Sequence, residues 1–411
     1  MKILYFCTST FPFGGVTEES FIRPELKFLS DSFDKVIFVP EHTEQDSSMI
    51  DVSYKNITAD DTFAKRHIKS KNRSLLSLLI RPLVIKAVLY DIARVNSIGK
   101  LFSLLSFYRD ASDFANWLNH QPLCPNDDIV VYTFWFHWQT TGAVLSKNNI
   151  THIFSRAHGF DIFDDRVQYR SHYLRDITLK GIDKVYACSQ MGANYIKNNY
   201  IQRRNKVSVS ILGTPKFYKE LNPLTADVNE IVFFTCARMH PVKRLPMTLN
   251  LLNELANTIP QKKIRWILVG DGEDKKELQN IISRGLEPNL RVEMRGLKTN
   301  NEVHEIYRHE HIDWNLLLSE SEGLSIALCE SLSYGVPAIV TNVGGLPEII
   351  NNDTGILLSY NPSVDQILKK LSLFYKEPKK YEQLRKTSYL YWHDNFNSEV
   401  LRKKFVNEIS K

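Results

Sequence analysis

Paired cysteines are missing from this sequence. Its five cysteines, at positions 7, 124, 188, 236 and 329, are dispersed and odd in number, with no CxxC and no Cys/His metal spacing. That argues against a disulfide scaffold or a zinc module and for reduced thiols in a cytoplasmic protein. Long apolar runs are missing too. No stretch of eighteen uninterrupted apolar residues exists, so no membrane-spanning helix is expected. The opening MKILYFCTST reads as a strand and a loop, without the apolar region and cleavage site of a signal peptide. Charge imbalance is small, with 52 Lys and Arg against 46 Asp and Glu, a net +6. This is too little to argue for nucleic acid, and none is expected as a partner. It suits anionic ligands or an anionic lipid surface. No G-x-G-x-x-G follows the first strand, which sets aside a dinucleotide oxidoreductase. No short-period repeat is evident.

What remains is a 411-residue chain, 43% hydrophobic and 24% charged, the composition of a soluble globular protein with room for two domains. Short apolar runs at 3–6, 35–40, 128–134, 151–157, 184–189 and 206–212 read as buried strands, with helical patterns between most of them. In the first interval the apolar spacing of Phe21, Leu26 and Leu29 predicts a helix with Pro24 in its first turn. A polar stretch with two prolines, 213–230, reads as a linker. After it the alternation restarts: strands at 230–238, 264–270, 290–296, 313–319 and 338–340, helices at 245–256, 275–283 and 300–308. Alternating strands and helices give an α/β fold with parallel sheets covered on both faces. The expected domains are 1–214 and 228–388, with a basic helical tail, 389–411, packing back on the first. Residues 65–107 combine a basic run with apolar residues, which suits either an interfacial helix pair on an anionic membrane or a buried helix with snorkelling basic ends.

The segment from Ser319 to Glu348, SESEGLSIALCESLSYGVPAIVTNVGGLPE, carries the most chemistry. Glu322 precedes a Gly and a helix start, and Glu330 follows inside that helix. Two helical carboxylates at this spacing would lie about 12 Å apart, at ~1.5 Å per residue. That approaches the span from ribose to sugar in a nucleotide diphosphosugar. Between them lies a helix N-terminus, a seat for phosphate. Arg238 ends an apolar strand and Lys243 follows in the next loop, where ligands of open α/β sheets bind. A guanidinium and an ammonium there can neutralise a diphosphate.

These motifs resemble the nucleotide-sugar domain of family 4 glycosyltransferases. Ser319-Glu320-Ser321-Glu322-Gly323, Glu330, Gly335-Val336-Pro337, Gly344-Gly345-Leu346-Pro347-Glu348, Gly270-Asp271-Gly272 and the Arg238…Lys243 pair all match the family pattern. The resemblance implies the GT-B fold: two Rossmann-like, doubly wound domains facing a central cleft. It implies a retaining glycosyltransferase, like members that build bacterial surface polysaccharides at the cytosolic membrane face. The donor is then a nucleotide diphosphosugar and the acceptor a glycan or lipid-linked glycan, with no resident cofactor and no metal. Glu322 would hold the donor sugar, Glu330 the ribose, and Arg238 and Lys243 the leaving diphosphate, with Gly272, Gly323, Leu324 and Ser325 beside them. Two departures stand out: Ser325 where many members have Pro, and Ala237 and Arg244 where many have Gly.

In the first half, Gly14, Gly15 and Glu19 form a loop like the one that admits the acceptor in this family, with Glu18 ranked lower. A tight turn is the plainer reading. SRAHGFD (155–161) resembles the family's H-G-x-D stretch. It makes His158 a catalytic candidate and Asp161 an acceptor or backbone-orienting one, with Arg156 a weaker candidate. Trp135, His137 and Trp138 suit either the cleft or the core. His304, His309 and His311 read as surface or packing residues. A nucleotide-sugar 2-epimerase and a non-catalytic nucleotide-sugar-binding subunit share this architecture and are the competing readings.

Overall fold

The computed structural model describes residues 1–13, 16–43, 53–70, 85, 89, 95–167, 171–224 and 229–411. The chain forms two units, Met1–Leu212 with Glu399–Lys411, and Gly213–Ser398. The first contains a seven-stranded parallel sheet. Its strands are β1 (Lys2–Thr8), β2 (Lys35–Pro40), β3 (Ile57–Ala59), β4 (Asp128–Thr133), β5 (His152–Ala157), β6 (Lys184–Ala187) and β7 (Val207–Val209), in spatial order β3-β2-β1-β4-β5-β6-β7. Alternate residues of β1 face opposite sides. Tyr5 and Cys7 join one buried cluster, Leu4 and Phe6 another. Burial on both faces is why these strands read as continuous apolar runs rather than alternating ones.

The second unit repeats the plan with six parallel strands: β8 (Glu230–Cys236), β9 (Lys263–Val269), β10 (Leu290–Met294), β11 (Trp314–Leu317), β12 (Ala338–Thr341) and β13 (Gly355–Leu358), in order β10-β9-β8-β11-β12-β13. In both sheets the order reverses beside the first strand, as in doubly wound folds.

Three local departures from the sequence reading have physical causes. The helix expected around Pro24 is two helices, Val16–Ile22 and Leu26–Ser32, joined by a 3₁₀ turn at Arg23–Glu25. Proline has no N–H for a continuous helical ladder. The helical tail also breaks in two, at Phe396, between Pro378–Asn395 and Ser398–Ile409. Thr214 clips the break: its N–H donates to Phe396 O at 2.9 Å, its carbonyl accepts from Ser398 N at 3.1 Å, and its hydroxyl accepts from Trp392 Nε1 at 2.8 Å. Residues 399–411 belong to the first unit and 389–398 to the second. Finally, β3 and β13 were not foreseen, and β7 is shorter than the run 206–212. Most of the basic and apolar stretch within 65–107 lies outside the described residues. No helix among the described residues is long and apolar enough to cross a membrane.

Candidate active site

β8 and β11 are neighbours where the strand order of the second sheet reverses. Crevices at the carboxyl ends of such strands are the ligand sites of open α/β sheets. The loop after β8 carries Arg238 and Lys243, and the loop after β11 carries Ser319 to Ser325. The loops are tied together: Glu320 N donates to Val242 O at 2.8 Å. Lys243 Nζ and Glu322 Oε1 form a short ion pair, and Ser319 Oγ donates to the same oxygen at 2.9 Å. Both partners are sheltered, Lys243 20% and Glu322 11% exposed. Arg238 turns outward instead. Its side chain is 72% exposed and meets Glu273 at 3.6 Å.

Glu330 sits in the helix Ile326–Ser333 and is buried. Burial pushes its carboxyl pKa up to about 7. Its nearest charged-group neighbour among the described residues is His304, whose Nε2 lies 3.9 Å away. Burial pushes that imidazole down to about 4, so it is neutral at pH 7. His304 stacks on Phe217 at 3.8 Å between ring centres, and its Nδ1 is 2.9 Å from the Tyr334 hydroxyl. It is thus a packing histidine, but one placed against a site carboxylate. Among the described residues no hydrogen bond serves the Glu330 carboxylate, and a buried acid in that state is suited to hydroxyl donors from a ligand. Ser325 occupies the N-cap of this helix without a side-chain cap, so its first-turn N–H groups keep their anion-binding capacity. At Gly323 an added Cβ would meet nothing within 4 Å. Leu324 bridges that open position and Ser325.

Two glycines hold these loops. Gly344 has φ +52°, and a Cβ there would stand 2.0 Å from Glu322 O; its neighbour Gly345 donates N–H to the same oxygen at 3.1 Å. Gly272, with φ +148°, presses on the loop after β8, where a Cβ would stand 2.4 Å from Met239 O. Both therefore act through backbone approach. Arg244, in a family glycine position, keeps the left-handed conformation at φ +54°. Its guanidinium secures the turn by donating to Tyr360 O and Asn361 Oδ1, each at 2.7 Å.

The first unit places its candidates differently. Gly14 and Gly15 lie outside the described residues. Glu19 pairs with Arg23 at 2.6 Å on the surface. Glu18 is the buried one: its carboxylate accepts from the backbone N–H of Ser9 and Thr10 at 2.8 Å, of Phe11 at 3.1 Å, and from Trp135 Nε1 at 2.6 Å. It organises the loop after β1, and an acid in the first turn of the following helix was the signal for it. Asp161 is fully buried. It accepts from the N–H of His158 at 2.7 Å, Gly159 at 3.0 Å and Phe136 at 3.0 Å, so it orients backbone. Burial opposes its charge, yet His158 and these amides hold its pKa below the usual range. His158 stands 3.6 Å from Asp161 with Phe134 and Trp135 against its ring at 4.6 and 4.5 Å. Burial disfavours its charged form, but Cys188 and Asp161 outweigh that and raise its pKa. Arg156 is a core residue, paired with buried Glu25 at 2.6 Å. His137 and Trp138, with Trp135, line a pocket that also takes in Glu41 and Phe160. Neither of these last two was singled out from the sequence. Glu41 directly follows β2, which was the available sign.

Known proteins resemble this chain in sequence over its second half and in fold throughout. Residues 218–391 match the family model described as glycosyl transferases group 1. A curated relative, the N-acetyl-alpha-D-glucosaminyl L-malate synthase of Bacillus anthracis, is 27% identical over 186 residues, 42% of this chain and 47% of its own length. The chain thus matches about half the length of that relative. Among solved structures, a lipopolysaccharide outer core galactosyltransferase, WaaB, superposes with a TM-score of 0.65 at 17% identity, over 100% of this chain and 99% of that one. Anabaena HepE in complex with UDP gives 0.60 at 17% identity over 100% of both. At such identities these two carry the fold alone. Over residues 218–391 the chain is thus similar to the group 1 glycosyl transferases, and its fold is GT-B.

Proposed function

We propose that this protein is a retaining glycosyltransferase that moves a sugar from a nucleotide diphosphosugar to a hydroxyl of a lipid-linked glycan in bacterial surface-polysaccharide synthesis. The observation that carries the reading is the Lys243–Glu322 pair at the reversal point of the second sheet, followed by an uncapped helix that bears the buried Glu330. Glu330 accepts the ribose hydroxyls, the helix N-terminus receives phosphate, and Glu322 holds hydroxyls of the donor sugar. The bond from the anomeric carbon to the phosphate oxygen breaks as the acceptor oxygen bonds to that carbon, and the acceptor's proton leaves with the phosphate. Lys243 stabilises the charge that grows on the departing diphosphate, joined by Arg238 once its exposed side chain swings in from Glu273. HepE, solved with UDP, and WaaB, a lipopolysaccharide outer core galactosyltransferase, share this fold and supply the analogy for the donor and pathway classes.

Native mass spectrometry against a panel of UDP-, GDP- and ADP-sugars tests the donor. One of them should bind and be released as nucleoside diphosphate when an acceptor is added. Binding of none, or turnover to an epimer with no acceptor present, would overturn the reading. With two side-chain cations assigned to the leaving group, transfer should continue in EDTA, and strict dependence on added Mg²⁺ or Mn²⁺ would remove that assignment. Peripheral membrane contact is part of the proposal: Ile68, Ile98 and Phe102 are exposed apolar residues of the first unit, with Lys65 and Arg66 near Ile68 in sequence. Salt-sensitive cosedimentation with anionic vesicles is the expected result.

A further inference from the structure

The helix Asn300–His309 buries a histidine beside the acid of the second-unit site. A capping box fixes the start of this helix: Thr299 Oγ1 accepts from Glu302 N at 3.3 Å, and the Glu302 carboxylate accepts from Thr299 N at 2.8 Å. That register turns Val303, His304 and Tyr307 inward. An imidazole in such company costs free energy unless its nitrogens find partners.

Phe217 stacks on the His304 ring, 3.8 Å between centres and 23° between planes. The Tyr334 hydroxyl lies 2.9 Å from Nδ1. Nε2 is buried, receives no hydrogen bond, and faces Glu330 Oε1 at 3.9 Å. The ring is thus held at one face and at one nitrogen, while the described residues give the carboxylate no hydrogen bond. Glu330 is the partner that can move, and a shift of about 1 Å brings it within reach of Nε2.

The chemistry favours that shift once the acid ionises. His304 is neutral at pH 7, because burial lowers its pKa to about 4, so one ring nitrogen carries a proton and the other a lone pair. With the Tyr334 O–H assigned as donor to Nδ1, the proton sits on Nε2. A carboxylate opposite keeps it there, since an anion favours a facing N–H over a lone pair. Among the described residues no lysine or arginine pairs with Glu330, and His304 is the group that meets it. Cys236 at the end of β8, Tyr307, Cys329 and Tyr334 register its charge, but burial raises the pKa of each, so all four are neutral at pH 7. Glu305 and Arg308, on the same helix as His304, engage Tyr218 instead, through a short hydrogen bond and a cation–ring contact at 4.6 Å.

We propose that His304 positions Glu330 for a ribose: Nε2–H donates to Oε1 and leaves Oε2 to accept the ribose hydroxyls. The inference rests on the ribose assignment within the glycosyl-transfer reading and adds to it a neutral donor from a neighbouring helix. His304 is a positioning residue acting through Glu330.

The test uses the full chain and isothermal titration calorimetry. The probes are UDP, GDP and ADP, with the 2′,3′-dideoxy form of whichever binds. Wild type should bind the ribose form more tightly than the dideoxy form. His304→Phe keeps a ring on Phe217 and removes the N–H. In it that preference should shrink roughly five- to tenfold, the usual worth of one hydrogen bond, with affinity for the dideoxy form unchanged. His304→Gln returns an N–H near the place of Nε2 and should recover the preference. Titration of the diphosphate cancels in this ratio. In His304→Phe the rise of the ratio with pH should move to higher pH, because the ionised Glu330 has lost a donor. A preference unchanged in His304→Phe, an equal loss for both forms of the nucleotide, or a pH rise that stays in place would each overturn the inference. The reading beneath it fails separately. Wild-type protein that binds no nucleoside diphosphate, or a Glu330→Gln variant that keeps the full preference for ribose, would remove the ribose site itself.

Discussion

At the scale of single residues, the second-unit site pairs one sheltered ion pair with one buried acid that receives no hydrogen bond from the described residues. Lys243 is the counter-ion to Glu322, and in the proposed mechanism it is also the cation offered to the leaving group. Lys243→Ala should lower kcat by about 10²–10³, the usual loss for one electrostatic stabiliser of a transition state, while circular dichroism stays that of wild type. Unchanged nucleotide release from this variant would remove Lys243 from the mechanism. Glu330 makes a prediction about pH. Its folded-state pKa of about 7 lies above the ordinary 4.5, so between those values the folded chain keeps a proton that the unfolded chain releases. Stability therefore falls as pH rises through that window. Glu330→Gln should be more stable than wild type at pH 8, by an amount of order 3 kcal/mol, and the gap should close by pH 4. Binding of ribose hydroxyls favours the ionised acid. Donor affinity should thus rise from pH 6 to pH 8 in wild type and stay flat in Glu330→Gln, as calorimetric titration would show.

At the scale of elements, loops are held in place by backbone approach and by special dihedrals. Arg244 stands in the left-handed region, which costs a non-glycine residue roughly 1–2 kcal/mol, and its two hydrogen bonds to residues 360 and 361 offset that. Arg244→Ala keeps the strain and loses the bonds, so it should destabilise by about 1–3 kcal/mol. Arg244→Gly loses both and should lie close to wild type in a denaturant titration. Equal losses in the two variants would show that the dihedral is not strained. The same elements explain what was legible beforehand. The strand at 35–40, the helix at 275–283 and the motif from 319 to 348 could be read because their signals are local: apolar runs, helical spacing, and two acids on one loop and helix. β3 and β13, of three and four residues, are too short for a periodic signal. Glu18 and Glu19 are adjacent in sequence, and only the register of a helix beginning at Val16 turns one inward and the other to Arg23. The first-unit pocket was least legible. It draws on loops after β1, β2, β4 and β5, so Ser9, Glu41, Trp135 and Phe160 meet only once the sheet is assembled.

At the scale of the whole molecule, the last stretch of chain completes the core of the first unit. Phe405, Val406 and Ile409 are buried among Leu4, Phe6, Tyr132 and Tyr186, residues of β1, β4 and β6. Arg156 lies over the Phe405 ring at 4.0 Å while it pairs with Glu25, so the ring also covers a buried ion pair. A buried pair is stable only while its surroundings stay closed and its partners stay matched. Phe405→Ala should therefore cost the ~3–5 kcal/mol of a large core truncation, despite lying six residues before Lys411. The loss should be confined to one unit. Hydrogen exchange should speed up at the amides of β1, β4 and β6 and stay unchanged at those of β8 and β11. Uniform acceleration in both sheets would mean that the two units unfold as one. No acceleration in either would mean that residues 399–411 lie on the first unit without supporting it, and a chain ending at Ser398 would then fold as well as the full one.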